Sequence, residues 1–169
     1  IPLYGRSADN IRDHRHVTSL LHRIETTDTG VLVTPTLSFD ERGHQVNHMT
    51  YYCVGWSGNG EKPVDFYPTA EDFVGEGGNF ERPYAIVKKA EGVKAGTRIE
   101  GLEAVGGLHF SEVTLEPEEE CSYLIFTGIT EDIQEIRNLS KTYTTREMVL
   151  EELEKTKAYW QEKVNVAYH

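Results

Sequence analysis

The chain is short of cysteine, of positive charge and of long apolar runs: it has two cysteines, and 17 Lys+Arg against 28 Asp+Glu. Each shortage excludes something. A membrane-spanning helix needs about 20 consecutive apolar residues, and no run here approaches that length. No charged start leading into an apolar stretch marks a signal peptide, so the chain reads as cytoplasmic, with no membrane partner. The formal charge of −11 repels a phosphate backbone, which makes nucleic acid an unsuitable partner. Two cysteines make no disulfide framework. Cys53 and Cys121 both sit inside strand-like runs and read as buried small hydrophobes, a disulfide between them being the alternative.

Motifs of several chemistries are missing as well. His14-x-His16, with Asp13 and His22 nearby, places two imidazoles on one side of a strand and raises a metal reading. No Cys pair or His-x-x-x-His accompanies it, so no metal is expected. Ser7, Asp9 and His14 can be assembled as a triad on paper, yet there is no Gly-x-Ser-x-Gly elbow. The Gly75–Gly78 stretch lacks the Gly-Lys-Ser/Thr ending of a phosphate loop. No cofactor is expected.

What is present is a pattern of strands. With 38% hydrophobic and 27% charged residues the composition is that of a globular domain. Val17, Leu20, Leu21 and Ile24 fit either period, and the Thr26–Gly30 turn cluster after them favours a strand over 16–24. Val31, Val33, Leu37 and Phe39 share one parity and Leu32, Thr34, Thr36 and Ser38 the other, giving a strand in which Pro35 implies an edge or a bulge. Asp40–Gly43 forms a hairpin turn, and Gln45–Trp56 returns as the third strand of a meander. Val64–Tyr67 is a short strand, followed by one helical turn capped by Thr69 and by a glycine-rich loop at 75–78. Further strands are expected at 85–87, 102–110, 113–115 and 121–130, the last buried on both faces and central.

Beyond Thr130 the period changes: Ile133, Ile136 and Leu139 recur at helical spacing, and Thr144-x-x-Glu147 has the form of a capping box. Met148, Val149, Leu153, Thr156, Trp160 and Val164 approximate one apolar stripe of an amphipathic helix over 145–163. The fold class is therefore mainly β: an antiparallel two-sheet β-sandwich with a C-terminal helix. The expected division is 1–140 for the sandwich and 141–169 for helix and linker. The chain has no initiator Met, and it stops in a strand-like alternation over 164–169 directly after the helix, as an excised piece would.

The densest polar cluster is 5–16, where every residue but Gly5, Ala8 and Ile11 has a hydrogen-bonding side chain. Arg6, Asp9, Asn10, Arg12, His14, Arg15 and His16 supply the donors and acceptors that sugar hydroxyls need, and Arg also forks onto phosphate. The alternative is a loop whose Arg and Asp residues satisfy one another. Glu76, inside the glycine-rich loop, reads as a carboxylate on a lip over a neighbouring site or as an exposed turn residue. Tyr51, Tyr52, Trp56, Phe66 and Tyr67 are candidates for stacking on pyranose rings, or are core and cross-strand pairs. Glycoside hydrolysis needs two carboxylates across a cleft, and among 28 acidic residues no pair stands out.

The stretches Tyr4–Arg23, Pro35–His44, Phe73–Gly78 and Tyr159–His169 resemble the cellobiose-phosphorylase-like proteins of glycoside hydrolase family 94 and its relatives. The resemblance implies a supersandwich-like, galactose-mutarotase-like β-sandwich that precedes a helical linker and an (α/α)6 barrel holding the catalytic acid and the phosphate pocket. No position here matches the barrel motifs, so no catalytic residue is assigned. By itself the chain is expected not to be an enzyme. Its parent is expected to be a glycoside phosphorylase or hydrolase acting on β-glucosides or oligoglucans, with a free-standing carbohydrate-binding module as the alternative. Expected partners are carbohydrate, the rest of the same polypeptide, and a second copy in a homodimer.

Overall fold

A computed structural model describes residues 18–40 and 43–164. Among the described residues, nine strands precede two C-terminal helices. They are β1 His22–Thr26, β2 Gly30–Pro35, β3 Leu37–Asp40, β4 Gly43–Val46, β5 Thr50–Ser57, β6 Asp65–Thr69, β7 Arg98–Glu100, β8 Ala104–His109 and β9 Tyr123–Thr130. Two short helices, α1 Ala70–Val74 and α2 Tyr84–Val87, lie between β6 and β7; α3 Ile133–Thr142 and α4 Arg146–Val164 end the chain.

β1, β2 and β5 form the expected antiparallel meander, extended to a five-stranded sheet in the order β7-β1-β2-β5-β9. β6 and β8 pair as a second sheet, and β3 and β4 as a separate hairpin in which Asp40 faces Gly43. The second sheet packs on one face of the first: Ile24, Val31, Val33 and Cys53 meet Phe66 and Ala104 there. On the opposite face Leu32, Val54, Trp56 and Leu124 pack against Ile136 of α3, with Phe126, Leu139 and Tyr143 beside them. Because β2 lies between the two layers, Val31, Leu32 and Val33 are all buried although their side chains alternate. Pro68 has no N–H to give, and the β6–β8 register shifts there, between Tyr67 and Thr69.

Several expected elements are displaced. The strand over 16–24 starts only at His22, since Leu21 N–H closes a turn onto Thr18 O at 3.1 Å. The two long strands of the meander are each broken, at Thr36 and at Asn47, whose Oδ1 takes the Met49 N–H at 2.8 Å. Residues 85–87 are not a strand: the Ile86 and Val87 amides bond Pro83 O and make α2, with Ile86 and Val87 exposed. No strand forms at 113–115, where Val113 and Leu115 are exposed.

β9 is an outer strand of its sheet and not a central one. Its Leu124 is buried with Ile136 of α3, but Ile125 and Ile129, whose side chains lie on the opposite face, are exposed. Cys121 lies before β9 and is exposed, while Cys53 is buried, and both thiols are free. The cap of α4 falls one residue later than expected: Thr145 Oγ1 accepts from Met148 N at 3.4 Å. Of the apolar stripe of α4, Val149 packs against the core on the α3 side, but no residue of this helix is fully buried. Its surface is laced instead by ion pairs from Lys155 to Glu151 and Glu152 and from Lys157 to Glu154, a pattern typical of a solvated helix.

Candidate functional site

Of the residues proposed for ligand recognition, Arg6, Asp9, Asn10, Arg12, His14, Arg15 and His16 lie outside the described residues. Glu76 is placed, and the local fold explains how. Thr69 ends β6 with an extended backbone, and its Oγ1 accepts from Asp72 N at 3.1 Å, which starts α1 as the sequence implied. Gly75 ends α1 with φ 78° and ψ 168° and donates its N–H to Glu71 O, a backbone region that is essentially reserved for glycine. A Cβ on Gly75 would lie 2.6 Å from Tyr84 Cβ, so α1, the loop and α2 meet at this point.

The result is an open cleft of about 460 Å³ walled by Glu71, Asp72, Glu76, Tyr84 and Glu91. Its floor is tied to the second sheet: Phe66 and Val93 exchange two backbone hydrogen bonds, and Tyr67 Oη donates to Ala90 O. Tyr67 is buried, and burial, with the Asp65 carboxylate as a smaller cause, pushes its phenol above the ordinary value. Four carboxylates line the cleft and no Lys or Arg does. Carboxylates accept hydrogen bonds from hydroxyl groups, and the half-exposed Tyr84 ring offers an apolar face. An anionic phosphate is disfavoured here by the same charges.

The aromatic platform has a different outcome. Trp56, Phe66 and Tyr67 are core residues, at 3%, 1% and 6% exposure, and Tyr51 and Tyr52 pack against the two core clusters. The more exposed aromatic residues are Phe80, Tyr84, Tyr123, Tyr159 and Trp160, of which Tyr123 packs against Phe110 at 4.6 Å between centroids and Lys163 lies over the Tyr159 ring. Sequence reasoning also missed the pairing of Asp65 with His109, whose Nδ1 lies 2.7 Å from Oδ1 of the buried carboxylate. These residues are cross-strand neighbours in β6 and β8, and nothing in their local sequence foretells the pairing. His22 is buried with Nδ1 donating to Leu102 O at 3.2 Å. Among the described residues no group of three or more His, Cys, Asp or Glu is arranged to hold a metal. No helix among them is long and apolar enough to cross a membrane.

The family model of the glycosyl hydrolase 94 supersandwich domain matches residues 6–146. The chain belongs to that family. Among curated proteins, none matches it. The span matched to the supersandwich domain takes in the polar segment of residues 6–16, the sandwich with its Glu76 cleft, and α3, and it stops at the first residue of α4.

Proposed function

We propose that this supersandwich domain is a non-catalytic, carbohydrate-associated part of a larger glycoside phosphorylase or hydrolase acting on β-glucosides or oligoglucans. The observation that carries the reading is the family match over residues 6–146. The Glu76 cleft supports it chemically, since its carboxylates and Tyr84 suit hydroxyl groups and an apolar sugar face. We assign the segment Arg6–His16 and Glu76 to the rim of the parent's substrate site, with all bond-breaking chemistry outside this chain.

The test uses both forms of the protein. The 169-residue chain turns over no β-glucoside, with or without inorganic phosphate. In the intact parent, Glu76→Ala, Arg12→Ala or His14→Ala raises the Michaelis constant for the sugar, with turnover within about threefold of the original. Release of glucose or glucose 1-phosphate by the chain alone would overturn the assignment. Tight binding of an oligosaccharide by the chain alone in calorimetry would favour a carbohydrate-binding module.

A further inference from the structure

A carboxylate removed from water is unfavourable unless it is paired. The Asp65 side chain is 6% exposed, yet both groups beside it belong to the surface: His109 is 49% exposed, and Lys94, at 4.0 Å, is 77% exposed. The fold makes room for this acid, since a Cβ on Gly92 would lie 2.8 Å from Asp65 Oδ1. Its effect is to fix an imidazole. An ionised carboxylate only accepts, so His109 Nδ1 carries the proton that it donates to Oδ1 across 2.7 Å, and in the neutral ring Nε2 is then the acceptor. The two nitrogens flank Cε1, which turns Nε2 away from Asp65.

His109 stands in the wall of an open cavity of about 510 Å³ formed by the β6–β8 sheet with α1 and α2. Most of that wall is apolar, from Tyr67, Phe73, Ile86, Leu108 and Phe110. Tyr67 offers its ring and not its hydroxyl, because Oη donates to Ala90 O. Phe73 and His109 flank that ring at 5.9 and 6.1 Å between centroids. The backbone is bent to suit. Lys89 takes φ 48°, in the left-handed region that is costly for a residue with a side chain, and the turn brings Ala90 N–H onto Ala85 O at 3.0 Å. Of the lining residues, Lys89 and Glu112 carry opposite charges 4.0 Å apart, so a neutral ligand is favoured over an ion of either sign.

A cavity of this size, apolar and aromatic around one oriented acceptor, has the form of a small-molecule site. We infer that it binds a small, neutral aromatic molecule bearing a hydroxyl group. The ring packs against Tyr67, Phe73 and Ile86, where aromatic edges and faces are favourable neighbours, and the hydroxyl donates to His109 Nε2. Glu76 does not line this cavity, and the inference does not depend on the sugar reading.

The experiment is calorimetry on the 169-residue chain at about pH 8, above the range in which histidines titrate. The probes are 2-naphthol and 2-methoxynaphthalene, which has the same rings but no hydroxyl proton. The naphthol is expected to bind about fivefold tighter or more, the worth of one net hydrogen bond. His109→Phe keeps a ring in the wall and should make the two affinities equal. Should that variant not fold, long-range proton–nitrogen NMR of the unaltered chain reads the same contact: the His109 Nε2 signal should move with 2-naphthol and not with the ether. Ile86→Glu, at an exposed position of α2, should weaken both probes about fivefold or more. The inference is overturned by a lack of saturable 2-naphthol binding, by equal binding of both probes to the unaltered chain, or by unchanged affinity in Ile86→Glu. Binding to the chain but not to the intact parent also overturns it, because the parent's own polypeptide would then fill the cavity.

Discussion

Trp56 is the residue whose replacement tests the layering most directly. Its indole is 3% exposed, stacks on Phe126 at 5.1 Å between centroids, and donates from Nε1 to Tyr143 O at 2.9 Å. The last contact joins the sheet to the residue that ends α3. An aromatic side chain of this size buries roughly 150–250 Å², and at about 25 cal/mol per Å² that corresponds to about 4–6 kcal/mol as an upper bound. Measured truncations of buried Phe and Trp to Ala cost about 3–5 kcal/mol. Trp56→Ala is therefore expected to lower the unfolding free energy by about 4 kcal/mol, a large share of a typical domain's stability. Trp56→Phe keeps most of the ring contact but loses the hydrogen bond and leaves the Tyr143 carbonyl without that donor, so about 1–3 kcal/mol is expected. Urea unfolding followed by far-ultraviolet circular dichroism measures both, because the signal does not depend on the tryptophan that is removed. A cost for Trp56→Ala below about 1 kcal/mol, within the range of surface substitutions and small core changes, would refute the claim that α3 and the sheet share a core. Equal costs for the two variants would show that packing of the indole contributes nothing beyond its hydrogen bond.

Two further predictions follow from buried titratable groups. Burial holds the His22 imidazole below its ordinary value of 6.5, outweighing the Leu102 carbonyl and Glu103, which act to raise it. Because the folded-state value is the lower one, its contribution to stability is complete above pH 6.5 and is lost as pH falls from there through the folded value. The urea midpoint should drop on acidification from about pH 7.5 to 5.5, the range in which histidines titrate, and His22→Gln should flatten that drop. An unchanged slope in the variant would remove His22 as its source. Burial likewise pushes the Cys53 thiol up, whereas Cys121 is exposed. Ellman's reagent should label Cys121 rapidly and Cys53 only on unfolding, so two fast thiols in the native chain would contradict the burial of Cys53 in β5.

Local sequence signals carried most of the elements. The parity of Val31 and Val33 against Leu32 defined β2, the Thr69 cap and the glycines defined α1 and its loop, and the spacing of Ile133, Ile136 and Leu139 defined α3. These features depend on contacts within a few residues, where side-chain period, capping oxygens and positive φ act directly. The reading failed where one local pattern serves two environments. The Ala-Ile-Val run at 85–87 has the β-branched character of a strand, yet Pro83 starts a helix there. The apolar run of β9 reads as a strand covered on both faces, although it lies at an uncovered edge.

The candidate site divides in the same way. Glu76 stood out because three glycines surround it, and the glycine geometry is a local property. Glu71, Glu91 and Tyr84 join it only because Gly75 packs on Tyr84 and because Val93 bridges to Phe66, contacts that hold no signature in the chain. Asp65 and His109, 44 positions apart in the chain, are paired by the register of β6 and β8. By itself, then, the sequence determined the β class, the meander, the loop that carries Glu76 and the change to helix near Thr130. Which strand lies at the edge, which aromatic rings are buried and which acids share a cleft were decided by tertiary packing, because burial depends on what the rest of the chain places over each face.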